Sequence, residues 1–257
     1  MSRFDDYAIR YPSIRMRRED GVLEAVLHTN GGPLQWGLGP HAELPDAFHD
    51  IAADRDNRVV ILSGAGDEFS GPRVVPTAGH PLFPTRPTAQ FTENLISEGR
   101  RMLTNLMNIE VPVISAVNGP AWRHSEIPLL ADIVIASETA AFQDSAHFPG
   151  GLVPGDGVHV VYPMLLGANR ARYFLLTGQI ITAAEALRLG LVGEVVPKER
   201  VLSRAWEHAR AIARRPEVLV RHTRAVLAEP IRRRLQTDLG YGLYNECLAL
   251  MDRPSAD

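Results

Sequence analysis

Three observations predict an α/β fold. Short, continuous apolar runs such as Val59-Val60-Ile61-Leu62-Ser63 and Asp132-Ile133-Val134-Ile135-Ala136 suit strands buried on both faces. Other segments place their apolar residues at helical spacing. The two kinds alternate along the chain, the pattern of a sheet covered by helices. With 257 residues there is enough chain for one large core, with at most a smaller appendage.

Taken in order, residues 14–29 alternate in part, with Val22, Leu23, Val26 and Leu27 around Gly21, and predict a hairpin of two strands. Over 40–54, Leu44, Ala47, Phe48 and Ile51 recur at helical spacing and predict an amphipathic helix. The run 59–63 ends at Gly64 and reads as a buried strand. Residues 71–87 contain Pro72, Pro76, Pro81, Pro84 and Pro87. Proline removes a backbone donor and clashes with the preceding turn, so a long loop is expected there. A helix follows at about 91–108, then a strand over 111–117, a turn at Asn118-Gly119-Pro120 and a strand over 132–136. From about Gly157 the chain reads as mainly helical, with a short strand near 192–196.

Composition narrows the function. A net charge of −3 argues against a nucleic-acid binder, and the one arginine-dense patch, Arg232-Arg233-Arg234, is expected on an exposed helix face. The single cysteine, Cys247, excludes an intrachain disulfide and a cysteine-rich metal site. Residues 1–10 are polar and charged, so no signal peptide is expected, and no apolar run approaches a membrane span. The expected setting is cytoplasmic, without membrane or nucleic-acid partners.

The chemistry is expected between Phe142 and Gly157. His147 and Asp156 lie on either side of a Pro/Gly-rich bend, Pro149-Gly150-Gly151 through Pro154-Gly155, and residues of that kind hold sharp turns. An imidazole with one nitrogen held by a carboxylate has its tautomer fixed and its other nitrogen free to take a proton from water. A surface loop with an incidental histidine is the competing reading of this stretch.

Further landmarks carry a resemblance. Arg58-Val59-Val60-Ile61-Leu62-Ser63-Gly64-Ala65-Gly66, Pro112-Val113-Ile114-Ser115-Ala116-Val117-Asn118-Gly119 and Leu176-Thr177-Gly178-Gln179-Ile180-Ile181-Thr182-Ala183-Ala184-Glu185-Ala186, continuing through Gly190-Leu191-Val192, resemble the crotonase (enoyl-CoA hydratase/isomerase) superfamily. The resemblance runs from about residue 14 to the last helix. It implies a spiral core of ββα repeats over 1–200 and a C-terminal helical region over 201–257 that serves oligomerisation and active-site closure. It also implies a homotrimer or a dimer of trimers.

The departures are informative. Where family members follow the strand ending at Ser63 with a loop whose N–H groups hold a thioester oxyanion, this chain has Phe69-Ser70-Gly71-Pro72-Arg73, and Pro72 has no N–H. Where a run of three glycines opens a helix, it has Trp122-Arg123-His124-Ser125. At the second hydratase glutamate it has His147. Glu126 is close to the first hydratase glutamate, but the segment before it is one residue short, so it either caps or braces the loop or takes part in chemistry.

These substitutions resemble the 6-oxocamphor hydrolase branch, which cleaves C–C bonds of β-diketones by a retro-Claisen reaction. The resemblance implies Trp36, His41, His124, His147, Asp156 and Glu246 as polar site residues. On it, His147 is the base and Asp156 its orienting carboxylate, with the enolate protonated by either of them. His124 is a carbonyl donor, the alternative being a helix-start histidine that packs structurally, and Glu246 orients His124 or His41 or is an unpaired surface glutamate on an amphipathic helix. Trp36 is a wall with an indole donor, while His41 is second-tier or simply exposed at a helix start. Leu82, Phe83 and Phe91 either line the pocket or pack as a lid. Such a reaction needs no cofactor and no metal, because the second carbonyl is the electron sink. The competing functions are a coenzyme A-dependent crotonase enzyme, a hydratase or acyl-CoA hydrolase using His147, and a non-catalytic scaffold. His28, His49, His80, His159, His208 and His222 have no comparable support.

Overall fold

A computed structural model of the chain describes residues 4–74 and 87–252; Leu82 and Phe83 lie outside them. After the short helix α1 (Phe4–Tyr7), strands β1 (Ile14–Glu19) and β2 (Val22–Leu27) form the expected hairpin, with Ile14 opposite Leu27. At its tip Asp20 and Gly21 take φ of 50° and 77°, left-handed values that glycine adopts without a Cβ penalty. A Cβ on Gly21 would also stand 2.4 Å from Arg58 Cγ.

The chain then repeats one pattern. β3 (Leu34–Gln35) and helix α2 (Leu38–Ala53) complete the first turn. β4 (Val59–Gly64), β5 (Ser70–Gly71) and α3 (Ala89–Met107) form the second. β6 (Val113–Val117), a bridge at Ala121 and α4 (Glu126–Leu129) form the third. β7 (Ile133–Ser137), β8 (Ala141–Phe142) and α5 (Val158–Leu166) form the fourth. Then come α6 (Ala168–Thr177), β9 (Ile181–Thr182), α7 (Ala183–Leu189), β10 (Glu194–Val196), α8 (Val201–Ala213) and the 35-residue α9 (Glu217–Met251).

The long strands build one six-stranded sheet, ordered β1-β2-β4-β6-β7-β10 and parallel from β2 onward. β2 is buried at every position rather than at alternate ones. Its Val22 joins Val59, Ile61, Ile114 and Ile135 under Ala205, Trp206 and Ala209 of α8, while Leu23, Ala25 and Leu27 face the main core. Covering both faces is what makes parallel strands read as unbroken apolar runs.

The short strands build a second layer. β3 pairs parallel with β5, Ser70 bridges Ala121, Ala121 bridges Phe142, and β8 pairs antiparallel with β9. Each turn of the spiral thus adds one strand to each sheet. The C-terminal half of α9 closes over this layer. Leu243 packs on Gly99 of α3, and Gly242 lies so close to Gly155 that a Cβ on either glycine would collide with backbone carbonyl of the other. Arg233 and Arg234 are on the exposed side of α9, paired one turn away with Glu229 and Asp238. Among the described residues no helix is long and apolar enough to cross a membrane.

Candidate active site

Parallel short strands end on the same side, so the residues that follow them gather there. Trp36 follows β3, its N–H donating to the Gly71 carbonyl at 2.8 Å. His124 lies three residues past the Ala121 bridge. Asp144 and His147 follow β8. Asp156 precedes α5, His41 sits in the first turn of α2, and Glu246 is brought in by α9. His124 is held at φ 48°, sparsely populated for a residue with a Cβ. It is fixed from both sides by Ser70 Oγ donating to the Arg123 carbonyl (2.6 Å) and by Ser125 Oγ against Tyr162 OH (2.7 Å). Backbone strain of this kind is found where the surrounding structure over-determines a functional residue.

Two imidazoles organise the cluster. His147 Nδ1 lies 2.6 Å from Asp144 Oδ1, and its Nε2 faces Asp156 Oδ2 at 3.4 Å and Glu246 Oε1 at 3.6 Å. His124 Nδ1 lies 2.9 Å from Glu126 Oε1 and 3.1 Å from Asp156 Oδ2. His124 Nε2 meets His41 Nε2 at 3.0 Å, and His41 Nδ1 lies 2.8 Å from the Gly37 carbonyl. The Trp36 ring lies 4.0 Å from that of His124, tilted 47° to it, and meets His41 edge-on at 5.0 Å. Asp144, His147, Asp156, Glu126 and Glu246 are all buried.

Burial and charge set the protonation. Burial drives the His147 imidazolium toward loss of its proton, but Asp144, Asp156 and Glu246 outweigh that and hold it well above the usual histidine value. Burial works against the Asp156 carboxylate, yet the neighbouring histidines, His147 foremost, bring it below the ordinary range. Burial raises Glu246, against the pull of His147. It raises Glu126 further, reinforced by Asp156. Burial lowers His124, and burial with His124 beside it pushes His41 down to about 4.

The geometry revises several sequence expectations. Asp144, not Asp156, holds His147 Nδ1; Asp156 stands on the Nε2 side, between the two imidazoles. Glu246 faces His147 rather than His124 or His41. His41 is not simply exposed, because its ring is locked between Gly37 and His124. Glu126, expected either to cap or brace the loop or to take part in chemistry, is fully buried inside the cluster against His124 Nδ1. Asp144 was missed, although its position three residues before His147 was a usable signal.

One atom each from His124, Glu126 and Asp156 lie within 4.8 Å of one another, a spacing that would also suit a cation. The hydrogen-bond distances within the trio account for that spacing. The N–H groups of Ser70 and Trp122 donate to the carbonyls of Pro120 and Ser70 (3.3 and 2.9 Å), and Pro72 has no N–H. Trp36 Nε1 and Asp156 Oδ1 are buried with no hydrogen-bond partner among the described residues.

A two-layer ββα spiral whose short strands end on a buried cluster of imidazoles and carboxyls defines a crotonase-fold protein with an acid–base site. The chain belongs to the enoyl-CoA hydratase/isomerase family, whose model matches residues 39–243. It is similar to a solved β-diketone hydrolase from the cyanobacterium Anabaena sp. PCC 7120, bound to (S)-3-oxocyclohexyl acetic acid. The identity is 43% and the TM-score 0.91, covering 96% of this chain and 97% of that one. A probable peroxisomal enoyl-CoA hydratase 1 of Arabidopsis thaliana is 32% identical over 93% of this chain and 85% of its own length. A probable enoyl-CoA hydratase, echA12, of Mycobacterium bovis is 36% identical over 66% of this chain, and the match spans 60% of that relative's length.

Proposed function

We propose that the protein hydrolyses a C–C bond of a cyclic or bicyclic β-diketone, giving a keto acid by a retro-Claisen reaction without a cofactor. The observation that carries this reading is the buried side-chain cluster of Trp36, His124, His147 and Asp156, in a chain that has Pro72 in the first loop and no glycine run at 122–125. The similarity to a β-diketone hydrolase with a keto acid bound supports it.

In this reading Trp36 Nε1–H and His124 hold the carbonyl that is attacked. Asp144 fixes His147 with Nε2 as its working nitrogen, and Asp156, with one oxygen unpartnered, holds the water. The reactive form is the neutral His147, a minority species below its raised value, and it takes one proton of the water as the hydroxyl adds to the carbonyl carbon. Positioned proton transfer of this kind contributes about 10²–10⁴-fold. The tetrahedral alkoxide then re-forms a C=O bond. The adjacent C–C bond breaks, its electron pair passes to the other carbonyl as an enolate, and the His147 imidazolium protonates the enolate carbon. Donors aimed at the alkoxide supply the electrostatic share of the rate.

The competing coenzyme A reading draws on the relatives named as hydratases. Pro72, which has no N–H, and Trp122-Arg123-His124-Ser125 in place of a glycine run disfavour a thioester oxyanion at the family's usual place. The test is to incubate the protein with cyclic 1,3-diketones and, separately, with an enoyl-CoA thioester. Loss of enol absorbance with release of a keto acid is expected; turnover of the thioester alone would overturn the proposal. The proposal extends to a trimer or dimer of trimers, supported by the exposed stripe of Tyr241, Tyr244, Leu248 and Met251 along α9, with light scattering as its check.

A further inference from the structure

The hydrogen bonds joining Gly37, His41, His124 and Glu126 have a direction that can be worked out from one end. The Gly37 carbonyl only accepts, so His41 Nδ1, 2.8 Å away, carries a hydrogen. A neutral His41 then presents a bare lone pair at Nε2. His124 Nε2, 3.0 Å from it, must carry a hydrogen as well, since two lone pairs at that distance would repel. A neutral His124 is therefore left with a bare Nδ1, which needs a donor. Its neighbours are Glu126 Oε1 at 2.9 Å and Asp156 Oδ2 at 3.1 Å, and one of them must be a protonated acid.

The surroundings choose between them. Asp156 faces the His147 imidazolium at 3.4 Å, which favours its charged form. Glu126 is 0% exposed, its Oε2 has no hydrogen-bond partner among the described residues, and the charges of Asp156 and Asp144 bear on it. His147 is the opposing charge, Tyr162 lies nearby through Ser125, and Leu103 packs beside the Glu126 stem at Gly157. A carboxylate there would bury an unpartnered ionic oxygen, whereas a neutral acid leaves only a carbonyl oxygen without a partner. Burial raises Glu126 and lowers His124, which agrees with a neutral acid beside a neutral imidazole.

We propose that Glu126 is a positioning residue which, as a neutral carboxylic acid, donates to His124 Nδ1 and, with His41 at the other ring nitrogen, holds His124 as the neutral Nε2–H tautomer. On the diketone reading, this makes His124 a donor to the substrate carbonyl without its becoming an imidazolium. When substrate enters, its carbonyl oxygen shares the Nε2–H with His41 Nε2 while the ring stays in place. Glu126 in this role is neither a base nor an acid in turnover.

Two of the tests need no substrate, so they judge this inference even if diketone turnover fails. Nitrogen NMR of the wild-type protein should show His124 neutral, with hydrogen on Nε2 and a hydrogen-bonded bare Nδ1. Infrared spectroscopy at neutral pH should show a protonated carboxylic acid band that is lost in Glu126→Gln. The Gln amide can still donate to Nδ1, so Glu126→Gln should keep the tautomer and lose no more than about tenfold in kcat/KM. Glu126→Leu should leave His124 Nδ1 bare and without a donor, seen as a nitrogen shift toward that of a non-hydrogen-bonded nitrogen, and raise KM for the diketone by about 10–100-fold, with a smaller fall in kcat. An imidazolium signature at His124, or no acid band from Glu126, would overturn the proposal. So would inactivation by Glu126→Gln as complete as that by Glu126→Leu, which would mark Glu126 as a base. If Glu126→Leu does not fold, the wild-type spectra and Glu126→Gln decide.

Discussion

Asp144→Asn and Asp156→Asn separate two ways in which a carboxylate can act on His147. Coulomb energy varies inversely with distance, so the Asp144 oxygen at 2.6 Å acts on the ring about 1.3 times as strongly as the Asp156 oxygen at 3.4 Å. Asp144 also makes the tighter hydrogen bond, to Nδ1, and charge-assisted bonds are about twice as strong as neutral ones. Removing its charge should lower kcat by about 10²–10⁴-fold, because the imidazolium formed during water attack loses its main stabiliser. It should also move the acid limb of the pH profile to lower pH, since Asp144 is the largest of the charges that raise His147. Asp156→Asn removes a water-holding oxygen and the bridge to His124; it should lower kcat with a smaller shift of the limb. The assay is the initial rate of enol absorbance loss from pH 5 to 10 for the three proteins, with circular dichroism and gel filtration to check fold and assembly. A limb that does not move in Asp144→Asn, or that moves further in Asp156→Asn, would refute the assignment of Asp144 as the residue that holds the base.

His147 binds its proton more tightly in the folded chain than in the unfolded one. Its stabilising contribution is therefore complete below about pH 6.5 and is lost as pH rises through the higher folded-state value. Urea denaturation across this range should show the advantage of the wild type over His147→Gln shrinking toward alkaline pH. Gly155→Ala would place a Cβ 2.2 Å from the Gly242 carbonyl oxygen and 2.8 Å from Glu246 Cβ. It should cost about 1–3 kcal/mol by overpacking and lower activity by displacing Asp156 and Glu246, as read by denaturation and rate assays together. His124→Ala should raise KM for the diketone more than it lowers kcat, which steady-state kinetics on the folded variant will check.

The long strands were legible because parallel strands covered on both faces must be apolar throughout, as at 59–63 and 132–136, and the helix at α2 because its apolar residues keep helical spacing. The short strands were not. β3, β5, β8 and β9 have two residues each, too few for any periodicity, and they exist only because neighbouring turns of the spiral present edges to pair with. They are also what aligns Trp36, His124 and His147. Residue types and the bend around His147 pointed to acid–base chemistry in the chain itself, and Pro72 is a missing donor wherever it lies. Which carboxylate serves which nitrogen was decided in three dimensions. Asp144 and Asp156 are equally plausible partners along the chain, and α9 brings Glu246 to His147 from about a hundred residues away. Protonation followed only then, because an acid such as Glu126 is driven neutral by the burial and the neighbouring charges that tertiary packing imposes.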